Sequence, residues 1–192
     1  MLIMLRHGRT EANARGLLQG RIDPPLDDLG VQQAAAAAAW LGPVDRVIAS
    51  PLQRAQQTAG AFGVAVETDE RFIELNYGDW EGRPVGDVPA ETWQTWRADL
   101  DFRPPSGETL NELGTRVRTA LDELVAQAER SNIVVVSHVS PIKAAVAWAL
   151  DVTDQATWRT RLGQAAICQI GINAGVPQLI EFNTTAHLKA LG

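Results

Sequence analysis

The sequence predicts an α/β fold of three layers, a mostly parallel central sheet with helices on both faces. Three observations predict it. Short apolar runs such as Leu2-Ile3-Met4-Leu5 and Ile133-Val134-Val135-Val136 stop at polar or glycine residues, as strands buried on both faces do. Helical patterns separate these runs, so strand and helix alternate along the chain. The length, 192 residues, suffices for one well-packed core and is short for two.

The elements follow in order. Met1–Leu5 reads as the first strand and ends in Arg6-His7-Gly8, where the glycine permits a sharp turn. Residues Glu11–Pro25 read as a polar loop. Leu26-Asp27-Asp28 opens a helix, either Asp serving as N-cap, and six consecutive alanines after Gln33 make that helix thin enough to lie close to a sheet. Gly42-Pro43 ends it. Val44–Ala49 is a second strand, and Ser50-Pro51 reads as N-cap and first helical residue of a helix over Leu52–Phe62. Val64–Thr68 is a third strand, Glu70–Pro89 a glycine-bearing loop, and Ala90–Leu100 a short amphipathic helix with Trp93 and Trp96 on one side. After the break at Pro104-Pro105-Ser106-Gly107, Glu108–Glu129 carries apolar residues at helical spacing. The strand Ile133–Val136 runs into Ser137-His138, a helix is expected over Ile142–Leu150, and the extended runs Ala165–Ile172 and Gln178–Phe182 complete the sheet. There is no internal repeat and no linker-like stretch, so a single domain is expected over residues 1–192.

Composition narrows the function. A formal charge of −6 argues against a general nucleic-acid binder but leaves room for a local anion pocket made by a few arginines. Cys168 is the only cysteine and lies in an apolar run, which fits a buried structural thiol in a reducing compartment. Arg6 interrupts the N-terminal apolar run, which therefore does not read as a secretory signal, and no apolar stretch is long enough to span a membrane. The expectation is a cytoplasmic protein with no membrane partner; a homodimer is left open.

In open α/β sheets ligands bind outside the carboxyl ends of the strands. Arg6 and His7 end the first strand, Arg54 falls in the first turn after the second, and His138 follows the fourth. If those strands are neighbours, two histidines and two guanidiniums converge. Guanidiniums match phosphate oxygens, and the helix N-terminus after His138 adds N–H donors, so a phosphate is expected there. Neighbouring cations would keep His7 neutral and nucleophilic. Clustered histidines can also hold a metal, but the arginines would repel a cation and no metal-ligand spacing occurs, so no metal is expected. An acid is needed for the leaving group. Glu74, after the apolar pair Phe72-Ile73, is favoured over Asp79 and Glu81, which read as solvated loop acids; partial burial would raise its pKa.

Leu5-Arg6-His7-Gly8-Arg9-Thr10 with Asn13, then Gln19-Gly20 and Asp23-Pro24-Pro25-Leu26, resembles the histidine phosphatase (phosphoglycerate mutase-like) superfamily. So do Ser50-Pro51-Leu52-Gln53-Arg54-Ala55-Gln56-Gln57-Thr58-Ala59, Glu74 with Gly78, Glu81 and Gly82, and Ser137-His138, all in the family's order. The resemblance implies the fold predicted above and a phosphohistidine mechanism without metal or organic cofactor. His7 would be the nucleophile, Arg6, Arg54 and His138 would bind the phosphoryl oxygens, and Glu74 would protonate the leaving group. Asn13, Gln19 and Gly20 would line the phosphate or substrate side, Thr10 would place a hydroxyl in the floor, and the backbone N–H of Val139 would take the place of a glycine's. Arg9 stands where the family commonly has an acidic residue or Gln.

The resemblance makes residues from about 75 to 108 the lid. It is short against that of the phosphoglycerate mutases, which favours hydrolysis of a small phosphomonoester over the alternatives, a mutase or a non-catalytic phosphate-binding domain. The blocks look most like small bacterial phosphatases of the α-ribazole phosphatase and acid phosphatase kind. Trp93 and Trp96 are expected to pack the lid onto the body and Trp80 or Phe102 to face the substrate, while His187 is expected to be solvated.

Overall fold

A computed structural model describes residues 1–191. Its six strands are β1 (Leu2–Arg6), β2 (Arg46–Ala49), β3 (Val66–Thr68), β4 (Ile133–Ser137), β5 (Ile167–Asn173) and β6 (Val176–Thr184). They form one sheet in the order β3-β2-β4-β1-β5-β6, parallel from β3 to β1 and antiparallel across β5 and β6. The helices are α1 (Glu11–Ala14), α2 (Asp28–Leu41), α3 (Gln53–Gly60), α4 (Ala90–Ala98), α5 (Leu110–Ala128) and α6 (Val139–Ala149).

Side chains of a strand alternate between faces, and both faces of β1 and β4 are covered. Leu2 and Met4 of β1, with Ile133 and Val135 of β4, pack with Val117 and Leu121 of α5 and Ile142 of α6. Ile3, Leu5, Val134 and Val136 pack on the other side with Ala37 of α2 and Ala55 and Ala59 of α3. The alanines let α2 and α3 approach the sheet closely. The central pairing sets Arg6 opposite Ser137 and Ala49 opposite Val136, so β1, β4 and β2 end level with one another. The three strand ends expected to converge are neighbours.

Several element boundaries differ from expectation, each for a local reason. Within the expected loop, Thr10 and Asn13 form a capping box that winds Glu11–Ala14 into one helical turn. Asp27, not Asp28, caps α2. Ser50 is not an N-cap; α3 starts at Gln53 after Leu52, and the serine hydroxyl is turned to His138. Helix α6 starts at Val139 with His138 as its N-cap residue, because Pro141 falls in the first turn where its missing N–H costs nothing. Strand β5 starts at Ile167, two residues late, after Ala165 takes φ 48°. Ala174 and Gly175, both at positive φ, make the two-residue turn into β6, which begins earlier than its apolar pattern.

Cys168 is a buried free thiol, as expected, its pKa pushed up to about 11 by burial. His187 is not solvated: it is half-buried, its Nε2 bonds the Ala165 carbonyl at 3.0 Å, and its ring lies 6.3 Å from that of Trp40. Among the described residues no helix is long and apolar enough to cross a membrane.

Candidate active site

At the C-terminal end of β1 the chain leaves the sheet through Arg6 and His7. The His7 N–H donates to the Ser137 carbonyl at 3.0 Å, which ties it to β4. The next residue must be glycine, since a Cβ on Gly8 would lie 2.3 Å from the Gly30 carbonyl oxygen of α2. The imidazole of His7 is buried, and its Nδ1 stands 2.7 Å from the Gly8 carbonyl oxygen. A carbonyl only accepts, so Nδ1 carries the proton and Nε2 keeps its lone pair. Burial, followed by the charges of Arg54 and Arg6, holds the His7 pKa well below the ordinary imidazole value.

His138, at the end of β4, is fully buried with its ring 5.0 Å from that of His7. Its Nε2 is 2.7 Å from Ser50 Oγ, which also accepts the Leu52 N–H at 3.4 Å. A serine hydroxyl can donate to that nitrogen or accept from it, and the Nδ1 of His138 is buried without a partner. Burial first, then His7 and the arginines, pushes this pKa well down too.

Arg54 of α3 is fully buried and donates to the Ile22 and Gly20 carbonyls, both at 2.7 Å. Arg6 donates to the Leu162 carbonyl at 2.8 Å, and burial, partly countered by Glu74, pushes its pKa down to about 10. In each arginine Nε has no partner. Glu74 is buried: Oε1 accepts the N–H of Leu75 at 2.8 Å and of Ser140 at 3.1 Å, and Oε2 that of Val139 at 3.1 Å. Arg116 of α5 steadies this segment, reaching the carbonyls of Arg71 and Glu74 and pairing with Glu108 at 2.7 Å.

These side chains surround a cavity of about 140 Å³ whose walls include Arg6, His7, Asn13, Gln19, Arg54 and Glu74. Gly20, Tyr77 and Val139 also border it. Two expectations need correcting. The N-terminus of α6, expected to meet a phosphate, is occupied by the Glu74 carboxylate, so the Val139 N–H serves Glu74 in this arrangement. Thr10 does not line the cavity; its hydroxyl donates to Gln19 Oε1 at 3.0 Å and accepts the Asn13 N–H at 3.2 Å, positioning two residues that do. His138 stands where it was expected, beside His7 at the end of β4.

Arg9 points elsewhere: it pairs with Asp27 at 2.7 Å and is absent from the cavity wall. Glu81, read as a solvated acid, instead accepts the N–H groups of Arg21 at 2.8 Å, Ile22 at 3.1 Å and Tyr77 at 3.2 Å. It straps the loop whose carbonyls hold Arg54. Gly20 sits under that carboxylate at φ 52°, where a Cβ would meet Glu81 Oε1 at 2.0 Å. Tyr77 has no local signal in the sequence; burial, with Glu74 next, pushes its phenol pKa up. Trp96 is buried in the core and Trp93 packs against it, as expected, whereas neither Trp80 nor Phe102 borders the cavity. Trp80 and Phe102 stack on each other 6.1 Å apart, and Trp93 and Trp96, besides packing on the core, line a second cavity. Among the described residues no cluster of three or more His, Cys, Asp or Glu could hold a metal.

The site thus sets a buried, neutral imidazole with one free nitrogen beside two guanidiniums and a carboxylate at the ends of parallel strands of an α/β protein. The model of the histidine phosphatase superfamily (branch 1) matches residues 2–185, and the chain belongs to that family. It is 35% identical over 176 residues to the Bifunctional protein Rv2228c of Mycobacterium tuberculosis, covering 86% of this chain and 48% of that one; it thus spans about half the length of this relative. The protein named "Probable phosphoglycerate mutase GpmB" of Yersinia pestis is 33% identical over 178 residues, 87% of this chain and 82% of that one. Among solved structures, phosphoserine phosphatase from Entamoeba histolytica, in complex with 3-phosphoglyceric acid, superposes with a TM-score of 0.88 at 30% identity over 97% of this chain and 98% of that one. The alpha-ribazole phosphatase from Shigella flexneri does so with a TM-score of 0.82 at 28% identity over 95% and 96%. These structural neighbours are phosphoric monoester hydrolases by name, and the fold and the resemblance read from the sequence both hold.

Proposed function

We propose that the protein hydrolyses a small-molecule phosphomonoester through a phosphohistidine on His7. The observation that carries this is the state of His7: neutral by burial, its Nδ1–H held by the Gly8 carbonyl, its Nε2 left for phosphorus on the wall of a cavity lined by Arg6 and Arg54. Nε2 attacks phosphorus while the ester oxygen departs, and Glu74, carrying a proton, delivers it to that oxygen. Water then attacks the phosphohistidine with its proton passing to Glu74, and the His7–phosphorus bond breaks to release phosphate. The guanidiniums, with His138 beside His7, balance the charge that develops on the phosphoryl oxygens, so these steps call on no metal or organic cofactor. Cytoplasmic residence, with metabolites as the substrate pool, belongs to the same reading and accords with the lone buried thiol.

A mutase uses the same phosphohistidine, and the relative named as one makes it the second reading. Incubation with 3-phosphoglycerate and a trace of the bisphosphate separates the two: free phosphate should appear faster than 2-phosphoglycerate. His7→Ala should abolish hydrolysis of p-nitrophenyl phosphate and the acid-labile labelling of the protein. Labelling that persists in His7→Ala refutes the assignment of the nucleophile.

A further inference from the structure

Beside the phosphate-sized cavity lies a larger one, of about 350 Å³, and the two share Tyr77 and Val139 as walls. Trp93, Trp96 and Trp158 line it, with Leu75, Val85 and Leu110 filling the apolar remainder. Trp93 and Trp96 are parallel at 5.5 Å, and Trp158 meets both edge-on, at 6.2 Å and 5.6 Å, so the wall is built of indoles braced against one another. Lys143 of α6 supplies a cation: one N–H goes to the Thr157 carbonyl at 3.0 Å, which leaves two for a ligand.

We propose that this cavity receives the alcohol portion of the ester, and that the preferred substrates are phosphomonoesters of alcohols carrying a flat aromatic ring. The inference rests on the phosphatase reading above and adds to it the class of the leaving group. Because the two cavities share Tyr77 and Val139, the alcohol portion of an ester whose phosphoryl group is at His7 can extend past those walls into the larger one. Cavities of roughly 300–1,000 Å³ enclose drug-sized molecules. A three-carbon acid leaves most of such a volume to water against indole faces, whereas an aromatic ring covers them. Val139 belongs to the same design: its isopropyl group stands between the two cavities where the family commonly has a glycine, and gives the ring an apolar step.

The test compares 2-naphthylmethyl phosphate with n-propyl phosphate, both esters of primary alcohols, so that leaving-group reactivity is matched. The naphthyl ester should have the larger kcat/KM, by on the order of 10²-fold from apolar burial. Trp158→Ala, and separately Val85→Asp at the half-exposed rim, should each cut that ratio by about tenfold. A ratio near one in the unaltered protein overturns the proposal, as does a ratio that neither variant changes. If neither ester is turned over, the phosphatase reading fails by itself. The cavity is then judged by calorimetric titration with the two corresponding phosphonates: tighter binding of the naphthylmethyl compound by about tenfold or more upholds it, and equal binding overturns it.

Discussion

His7 and His138 should make the fold lose stability on mild acidification, before the carboxylates titrate. Both are buried and face Arg6 and Arg54, and both pKa values are held well below the imidazole range. The unfolded chain exposes them with pKa values of about 6.5. Below that pH the unfolded state binds protons that the folded state refuses, so stability falls as pH falls and stays level above about pH 7. The size follows from the unfolded chain alone, provided both rings remain neutral in the fold. Between about pH 7.5 and 5.5 each histidine removes about 1.4 kcal/mol, and the pair about 2.7 kcal/mol. That is a large share of an ordinary domain's roughly 5–15 kcal/mol. Urea unfolding at the two pH values measures it, with His7→Gln/His138→Gln as the comparison. His187 and the N-terminal amine also titrate, but they are present in both proteins and cancel. If the double variant loses as much stability as the unaltered protein, the two imidazoles are not buried neutral groups and the nucleophile argument fails with them. The same neutrality places the acid limb of kcat/KM below pH 6.5 rather than on it.

Two substitutions probe the arginine side of the site. Arg54→Ala should lower kcat for p-nitrophenyl phosphate by on the order of 10²-fold or more, the cost of removing one preorganised donor of transition-state charge; a loss of only about twofold puts Arg54 outside the chemistry. Glu81→Ala leaves the N–H groups of Arg21, Ile22 and Tyr77 without their acceptor and frees the loop that fixes Arg54. It should cost about 1–2 kcal/mol in urea unfolding and about tenfold in kcat, with Glu81→Gln recovering part of both because an amide oxygen still accepts. An unchanged kcat with a reduced stability shows that the strap serves the fold alone.

Much of this was legible in the sequence because the relevant signals are local. Strands buried on both faces are uninterrupted apolar runs, and Arg6, His7 and His138 are the residues at which such runs stop. Arg54 sits in the first turn of the next helix, and Glu74 follows an apolar pair. What escaped depends on partners distant along the chain or on geometry without a pattern. The Glu81 strap joins residues 59 and 60 positions apart, and the acid has no local feature that separates it from Asp79. Helix α1 is four residues long, too short for a period, and is betrayed only by the Thr10–Asn13 cap. That Trp80 and Phe102 stack on each other instead of bordering the cavity follows from the path of residues 75–108 over the body, which local spacing does not encode. His187 reads as a polar tail residue because its cover, Trp40 and the Ala165 carbonyl, comes from elsewhere in the chain.

The occupation of the α6 N-terminus changes how the two anions of the reaction are shared out. A phosphate there would compete with Glu74 for the N–H groups of Val139 and Ser140, which already bind its carboxylate. In the proposed mechanism the helix end therefore belongs to the acid, and the phosphoryl group falls to Arg6, Arg54 and His138. That division has a physical use. A general acid gains from being fixed before the leaving group arrives, since no reorientation then remains to be made in the transition state. Each carboxylate oxygen has two lone pairs. On Oε2 the Val139 N–H uses one of them, so the other can carry the proton that Glu74 must hand over. The arginines, by contrast, each keep an N–H without a protein partner, at Arg6 Nε and Arg54 Nε. Both guanidiniums lie on the cavity wall, and the acceptor that matches forked donors of that kind is a phosphoryl group.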